Sequence, residues 1–224
     1  MHYIITGASG GLGKEVVEYL SAENTVTAIY NSTRPDFNSR VDTIQYDLSS
    51  TINIDFSNIM DSRIVLIHLA GLSLSQGFKN ASFENLEKEF KINALGGLRI
   101  AQSLWPKMRA NKYGRIIFVS SVVAHAPVFG TLGYAMSKGA LEAATRALLV
   151  EGVKDNILPF CIASGYTDCG MIDKVPVEFQ LQLKEKIPMH RFGTAAELIN
   201  AIEFLVDTPY MAGQTIHLNG GLYV

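Results

Sequence analysis

The sequence predicts an α/β fold: a doubly wound parallel sheet of about seven strands with helices on both faces. Three observations carry this. Seven short apolar runs rich in β-branched residues recur along the 224-residue chain. Longer segments of helical period separate most of them. Several runs, such as "IVLI" and "IIFV", are apolar on both alternations, as strands buried on two faces must be.

The strands are expected at "HYIIT" (2–6), "TVTAIY" (25–30), "VDTIQY" (41–46), "RIVLIHL" (63–69), "GRIIFVS" (114–120), "NILPFCI" (156–162) and "QTIHL" (214–218). Helical spacing marks 11–22, 82–110, 133–151 and 194–206. The stripe through 82–110 is Phe83, Leu86, Phe90, Ala94, Leu98, Ala101, Trp105 and Met108. Only about ten residues, Asn31 to Arg40, join the second strand to the third, so the crossover helix there is lost or reduced to a turn. No linker, repeat or low-complexity tract divides the chain, which reads as one domain, 1–224.

Composition excludes several classes. Net charge is −2 with no basic block, which argues against nucleic acid, and no run is long and apolar enough to cross a membrane. The two cysteines, Cys161 and Cys169, form neither a disulfide framework nor a metal motif. A soluble cytoplasmic protein without a metal site is expected. The apolar start lacks a basic n-region and leads into glycines, as a strand does.

"YIITGASGGLGKEVVEYL" is a strand, a glycine-rich turn and a helix. Gly7, Gly11 and Gly13 let the backbone turn tightly and approach a ligand, and the helix N-terminus that follows stabilises a pyrophosphate. Ser9, Gly10 and Leu12 complete this nucleotide-binding loop. After the second strand, "IYNSTRP" offers the neutral Asn31 and Ser32 and the basic Arg34 where a ribose 2′-OH would call for an acid, so NADP(H) is favoured over NAD(H). Asp47, in "YDLS", is placed to accept from an adenine amino group, with Leu48 beside it.

A helix over 133–151 brings Tyr134 and Lys138 onto one face, one turn apart. Alone, that spacing describes a surface Tyr beside a solvated Lys. Asn93, Gly96 and Gly97 are poor helix formers inside 82–110, and they predict a local distortion or a close contact with a neighbour.

Together these pieces resemble the short-chain dehydrogenase/reductase superfamily, and within it the 3-oxoacyl-[acyl-carrier-protein] reductase-like members. The matching motifs are "TGASGGLG" (6–13), "DL" (47–48), "HLAG" (68–71), "NALG" (93–96), "GRIIFVSS" (114–121), "YAMSK" (134–138), "SGYTDCGM" (164–171), "HRFGTAAELINAIEFLV" (190–206) and "GQTIHLNGG" (213–221). The resemblance implies a Rossmann-like sheet in the order 3-2-1-4-5-6-7. It implies a catalytic tetrad of Asn93, Ser121, Tyr134 and Lys138, with Ser121 chosen over Ser120 because it stands thirteen positions before the tyrosine. Tyr134 is then the proton donor or acceptor, and Lys138 lowers its pKa and holds the nicotinamide ribose. Ser121 orients the substrate oxygen, and Asn93 holds a water linking Lys138 to solvent.

The chain departs from the family pattern in three places. His68 and Leu69 stand where two asparagines are usual, so the asparagine side-chain hydrogen bonds are expected to be lost, while Ala70 and Gly71 still permit close approach to the cofactor. Ser164-Gly165 replaces a Pro-Gly pair. Cys169 stands where a threonine is usual, with Thr167 at a position whose backbone binds the carboxamide. Of the histidines, His125 is the one expected to face substrate. The segment 166–193 is expected to form a lid over a small carbonyl or alcohol substrate.

The leading reading is a carbonyl reductase or alcohol dehydrogenase. A sugar-nucleotide epimerase or dehydratase, or a catalytically silent cofactor-sensing or scaffold protein, are the alternatives. A homotetramer, or a homodimer, is expected through the 82–110 and 133–151 helices, where Gly139, Ala140, Ala143, Ala144 and Ala147 form a small-residue face.

Overall fold

The computed structural model describes residues 1–224. Seven strands, β1 (His2–Thr6), β2 (Thr25–Tyr30), β3 (Val41–Gln45), β4 (Ile64–His68), β5 (Gly114–Ser121), β6 (Ile157–Ser164) and β7 (Thr215–Leu218), form one sheet in the order β3-β2-β1-β4-β5-β6-β7. Every pairing is parallel. The helices are α1 (Gly11–Leu20), α2 (Phe83–Phe90), α3 (Gly96–Ala110), α4 (Leu132–Gly152), α5 (Val177–Lys186) and α6 (Ala195–Asp207). No helix is long and apolar enough to cross a membrane. No helix lies between β2 and β3, as the short connection requires.

Alternation along the strands builds a core on each face. Ile5, Ile67 and Ile117 point to the side where α1 and α6 pack, through Val16, Val17, Leu20, Leu198, Ile202 and Leu205. Their neighbours Ile4, Leu66 and Ile116 point to the side covered by α3 and α4, through Ile100, Leu104, Met108 and Leu141. Truncating one such fully buried side chain, Leu104 to alanine, would cost about 2–5 kcal/mol.

The long helical segment 82–110 is not continuous. α2 and α3 are joined by a π-turn over Lys91–Leu95, with Asn93 at its centre. The distortion expected from Asn93 and the two glycines is therefore present, and so is the close contact: a Cβ at Gly97 would stand 2.5 Å from the His68 ring. A π-turn of this kind widens the helix locally and re-aims its side chains.

Because all strands run the same way, their carboxyl ends share one edge. The sheet order reverses between β1 and β4, and the crevice at such a point is where open α/β sheets bind ligands. The chain leaves β1 there at Gly7, β4 at Leu69–Gly71, β5 at Ser121 and β6 at Gly165.

Candidate active site

The loop after β1 is shaped for an anion. Gly7 has φ +74, and a Cβ there would stand 2.7 Å from the Ala70 nitrogen, so only glycine fits. A Cβ at Gly13 would strike the Gly7 carbonyl. The Gly10 amide closes the turn onto the Gly7 carbonyl at 3.0 Å. Gly10 caps α1 with no side-chain hydrogen bond to its first turn, and Ser9, Gly10, Gly11 and Leu12 all reach the surface. An exposed helix N-terminus with free amides and no competing carboxylate suits a pyrophosphate.

Along the crevice, Asn31, Ser32 and Arg34 are exposed beyond β2. The Asn31 carbonyl accepts from Gln45 Nε2 at 3.0 Å. Arg34 lines a cavity of about 400 Å³ that Asp36 also borders, a carboxylate two residues on that the sequence reading did not weigh. One oxygen of Asp47 accepts from the Ser49 amide and hydroxyl, both at 2.8 Å, which leaves Oδ2 free. Leu48 is buried. On the far side, the Gly165 amide donates to the Leu218 carbonyl at 2.7 Å. Thr167 bridges to Gly193 and donates its hydroxyl to the Cys169 carbonyl at 3.1 Å. Gly170 folds back onto the phosphate loop: a Cβ at Gly11 would lie 3.0 Å from the Gly170 nitrogen.

Tyr134 and Lys138 lie one turn apart on α4, both buried, with the ammonium 5.6 Å from the phenol ring centroid. Lys138 Nζ donates to the Val119 carbonyl at 2.8 Å. A Cβ at Gly71 would be 3.4 Å from that nitrogen and 4.0 Å from the tyrosine ring, so Gly71 closes the pair from above. Ser121 ends β5; its oxygen accepts from the Val123 amide at 3.2 Å, and its hydroxyl faces the Tyr134 phenol. Asn93 joins through a neighbour. Its Nδ2 donates to Ser137 Oγ at 3.0 Å and to the Leu72 carbonyl at 2.8 Å, and its Oδ1 accepts from the Leu72 amide at 2.7 Å. Ser137 Oγ donates in turn to the Tyr134 carbonyl at 2.8 Å. Asn93 is thus hydrogen-bonded to Leu72 and Ser137, while Lys138 is hydrogen-bonded to Val119.

Burial sets the protonation of this pair. It pushes the Tyr134 phenol up to about 12, with the Ser121 hydroxyl pulling the other way. It pulls the Lys138 ammonium down to about 8. The expectation that Lys138 acidifies the phenol is therefore not met: desolvation dominates, and the groups acting on Tyr134 are Ser121, Tyr166 and Glu89. Burial, with Glu15, Asp168 and Asp173 adding to it, holds the Cys169 thiol up at about 11, which favours its protonated form.

One expectation about a histidine needs correction, and His68 makes bonds of its own where the asparagines' were expected to be lost. It is fully buried, with Nδ1 2.7 Å from Thr6 Oγ1 and Nε2 3.0 Å from the Asn93 carbonyl oxygen. His125 turns from the substrate side to Glu142, with Nε2 2.9 Å from Oε2. It lines a cavity of about 430 Å³ with Arg146 and His217, which neither Ser121 nor Tyr134 borders. The reason is local: Ser120 Oγ donates to the same carboxylate at 2.7 Å, so Glu142 is already buried facing that loop.

Sequence reasoning missed four buried polar partners. Glu89 Oε1 accepts from the Leu74 amide at 2.7 Å. Glu142, Thr6 and Ser137 are the others. Only Glu89 left a signal, as a carboxylate on the apolar side of a helix; the rest depend on contacts across the sheet.

The comparisons agree with this geometry. Residues 7–223 match the family described as enoyl-(acyl carrier protein) reductase. The 3-oxoacyl-[acyl-carrier-protein] reductase FabG of Aquifex aeolicus is 29% identical over 98% of this chain and 96% of its own length. The enzyme of the same name from Buchnera aphidicola subsp. Baizongia pistaciae is 30% identical over 99% and 96%. The acetoacetyl-CoA reductase of an Acinetobacter strain is 29% identical over 99% and 97%. With a parallel seven-stranded sheet, a glycine loop at its switch point and a Ser, Tyr and Lys gathered beside it, the chain belongs to the short-chain dehydrogenase/reductase superfamily and is a short-chain NAD(P)-dependent oxidoreductase.

Proposed function

We propose that the protein is an NADPH-dependent reductase of 3-oxoacyl thioesters, with Tyr134 as the proton donor. The observation that carries this reading is the buried cluster of Ser121, Tyr134 and Lys138 beneath Gly71, at the same edge of the sheet as the phosphate loop. The chain's own residues fit a dinucleotide. The bare N-terminus of α1 would hold the pyrophosphate, Asp47 Oδ2 would accept from the adenine amino group, and Arg34 would meet a 2′-phosphate. Ala70, Gly71, Gly165 and the Thr167 backbone would line the nicotinamide half. When bound, the reduced nicotinamide supplies the hydride.

As the carbonyl carbon gains that hydride, its oxygen takes the phenolic proton of Tyr134, and the product is a secondary alcohol. The Ser121 hydroxyl, which faces the Tyr134 phenol, holds the oxygen during the transfer. The phenolate left behind is stabilised by the Lys138 ammonium and regains its proton from solvent. Asn93 anchors the chain after Gly71 to the α4 helix.

The lid segment 166–193 supports an acyl substrate. Met171, Val177 and Phe179 are about half exposed or more. Leu222 packs both against Tyr134, Val122 and Val123 and against the lid residues Ile172, Ile187 and Phe192, so the C-terminal segment ties lid to site.

An oligomer, a homotetramer or homodimer, is part of the same proposal. On α4, Ala143 and Ala147 are exposed, as are Met136 and Val150, and a Cβ at Gly139 would meet nothing within 4 Å. Sedimentation at micromolar concentration would show an assembly; a monomer would refute it.

Initial rates with acetoacetyl-CoA and with crotonyl-CoA, each with NADPH and NADH, test the reaction. Turnover of acetoacetyl-CoA with NADPH is expected. Turnover of crotonyl-CoA alone would instead favour double-bond reduction, and NADPH binding without turnover of any carbonyl would favour a cofactor sensor.

A further inference from the structure

We infer that His68 is a positioning residue of the catalytic centre: a neutral imidazole that ties the end of β1 to the Asn93 carbonyl and so fixes the π-turn that braces α4. The inference deepens the reading above and rests on it.

The donors and acceptors leave one arrangement. The Asn93 carbonyl can only accept, so Nε2 carries the hydrogen and donates across 3.0 Å. Nδ1 is then an acceptor, and the Thr6 hydroxyl donates to it across 2.7 Å. The Thr6 oxygen still has a lone pair, which takes the Ala70 amide at 3.3 Å. Every polar atom of this buried chain is used.

The chain of bonds reaches each part of the site. Thr6 precedes Gly7 of the phosphate loop. Ala70 precedes Gly71, which covers Lys138 and Tyr134. Asn93 continues through its carboxamide to Leu72 and Ser137, and Ser137 bonds the Tyr134 carbonyl at 2.8 Å. One ring therefore sets the relative position of the cofactor loop, the loop after β4 and the helix bearing Tyr134 and Lys138.

Packing and charge hold the ring as it is. Phe118 meets it edge-on at 6.2 Å between centroids, and Gly97 is bare where its Cβ would enter the ring. The titratable group acting on it is Lys138, from α4; the other elements present Thr6, Asn93, Phe118 and Gly97. Protonation would set a second cation beside the buried ammonium and reverse the Thr6 bond, leaving the hydroxyl hydrogen without its acceptor, so the ring stays neutral while the enzyme works.

Two substitutions separate the ring's two bonds. An asparagine carboxamide reaches as far as Nδ1 and can keep Thr6, but not Asn93; a glutamine carboxamide reaches as far as Nε2 and can keep Asn93. With acetoacetyl-CoA and NADPH, His68→Asn is expected to lower kcat about tenfold while KM for NADPH stays within about twofold. His68→Gln is expected to rescue kcat to within about threefold of the parent. Nitrogen-edited NMR of the ligand-free parent should show the ring neutral with its hydrogen on Nε2 from pH 8 down to pH 5.

Equal kcat in His68→Asn and the parent would overturn the inference. So would losses in both variants that simply follow their melting temperatures, or a ring that titrates between pH 8 and pH 5. Failure of the catalytic reading looks different: Tyr134→Phe would then turn over as fast as the parent.

Discussion

The Lys138 ammonium stands 5.6 Å from the centre of the Tyr134 ring and is held there by the Val119 carbonyl, 2.8 Å away. The pair is local in sequence, one helical turn apart, but its chemistry comes from burial. Both groups are cut off from water, which favours their uncharged forms. The cation that would stabilise a phenolate is itself close to losing its proton.

A pH dependence follows. The useful form of Lys138 is charged, and its pKa is lowered to about 8 by burial. The kcat/KM for carbonyl reduction should therefore fall as pH rises through about 8 in the free enzyme. In Lys138→Arg that limb should vanish from the accessible range, whatever the loss in absolute rate, because a guanidinium keeps its charge. A rate profile with an unchanged limb in the arginine variant would show that another group titrates.

His68 makes stability acid-sensitive. Burial lowers its pKa to about 3 from 6.5, with the charge of Lys138 adding to the effect. Between those values the unfolded chain binds a proton that the folded chain does not, so stability falls as pH drops below 6.5. The slope contributed is at most about 1.4 kcal/mol per pH unit. Urea unfolding of the parent and His68→Gln at pH 7 and pH 5 measures it: the parent should lose more stability than the variant. Equal losses would mean the ring is not buried neutral.

Gly97 tests the packing behind the site. A Cβ there would lie 2.5–2.8 Å from three atoms of the His68 ring, which has no room to retreat. Gly97→Ala should destabilise the protein by about 1–3 kcal/mol, despite alanine's higher helix propensity. A gain in melting temperature would contradict the contact.

Arg34 tests the cofactor preference. It is exposed at the edge of its cavity and donates to no group of the chain, so its guanidinium is free for a phosphate. Arg34→Ala should raise KM for NADPH about tenfold and leave KM for NADH nearly unchanged. Equal changes for both cofactors would remove Arg34 from the 2′-phosphate site.

What the sequence made legible was local. Runs of β-branched residues announced the strands, and the ten-residue gap after Tyr30 announced a missing helix. Asn93 with Gly96 and Gly97 announced a distortion or a close contact, because three poor helix formers in five positions need a reason, but not that the distortion is a π-turn. Tyr134 and Lys138 were readable because an α-helix brings residues four apart together. The bonds of His68 were not readable because its partners are Thr6, 62 positions away, and Asn93, 25 positions away. A substituted side chain looks like a lost hydrogen bond until the sheet brings its new partners in. The same holds for His125, whose direction is set by Glu142 on the neighbouring helix. The phenol's pKa also depends on depth of burial, which spacing along a chain does not reveal.

The central claim is that Tyr134 gives its proton to the substrate oxygen. The direct measurement is single-turnover reduction of acetoacetyl-CoA by NADPH in the parent and in Tyr134→Phe, with NADPH affinity followed by fluorescence in the same samples. The rate should fall by about three orders of magnitude while the affinity stays within about twofold. A Tyr134→Phe protein that reduces the substrate within a few-fold of the parent rate would contradict it.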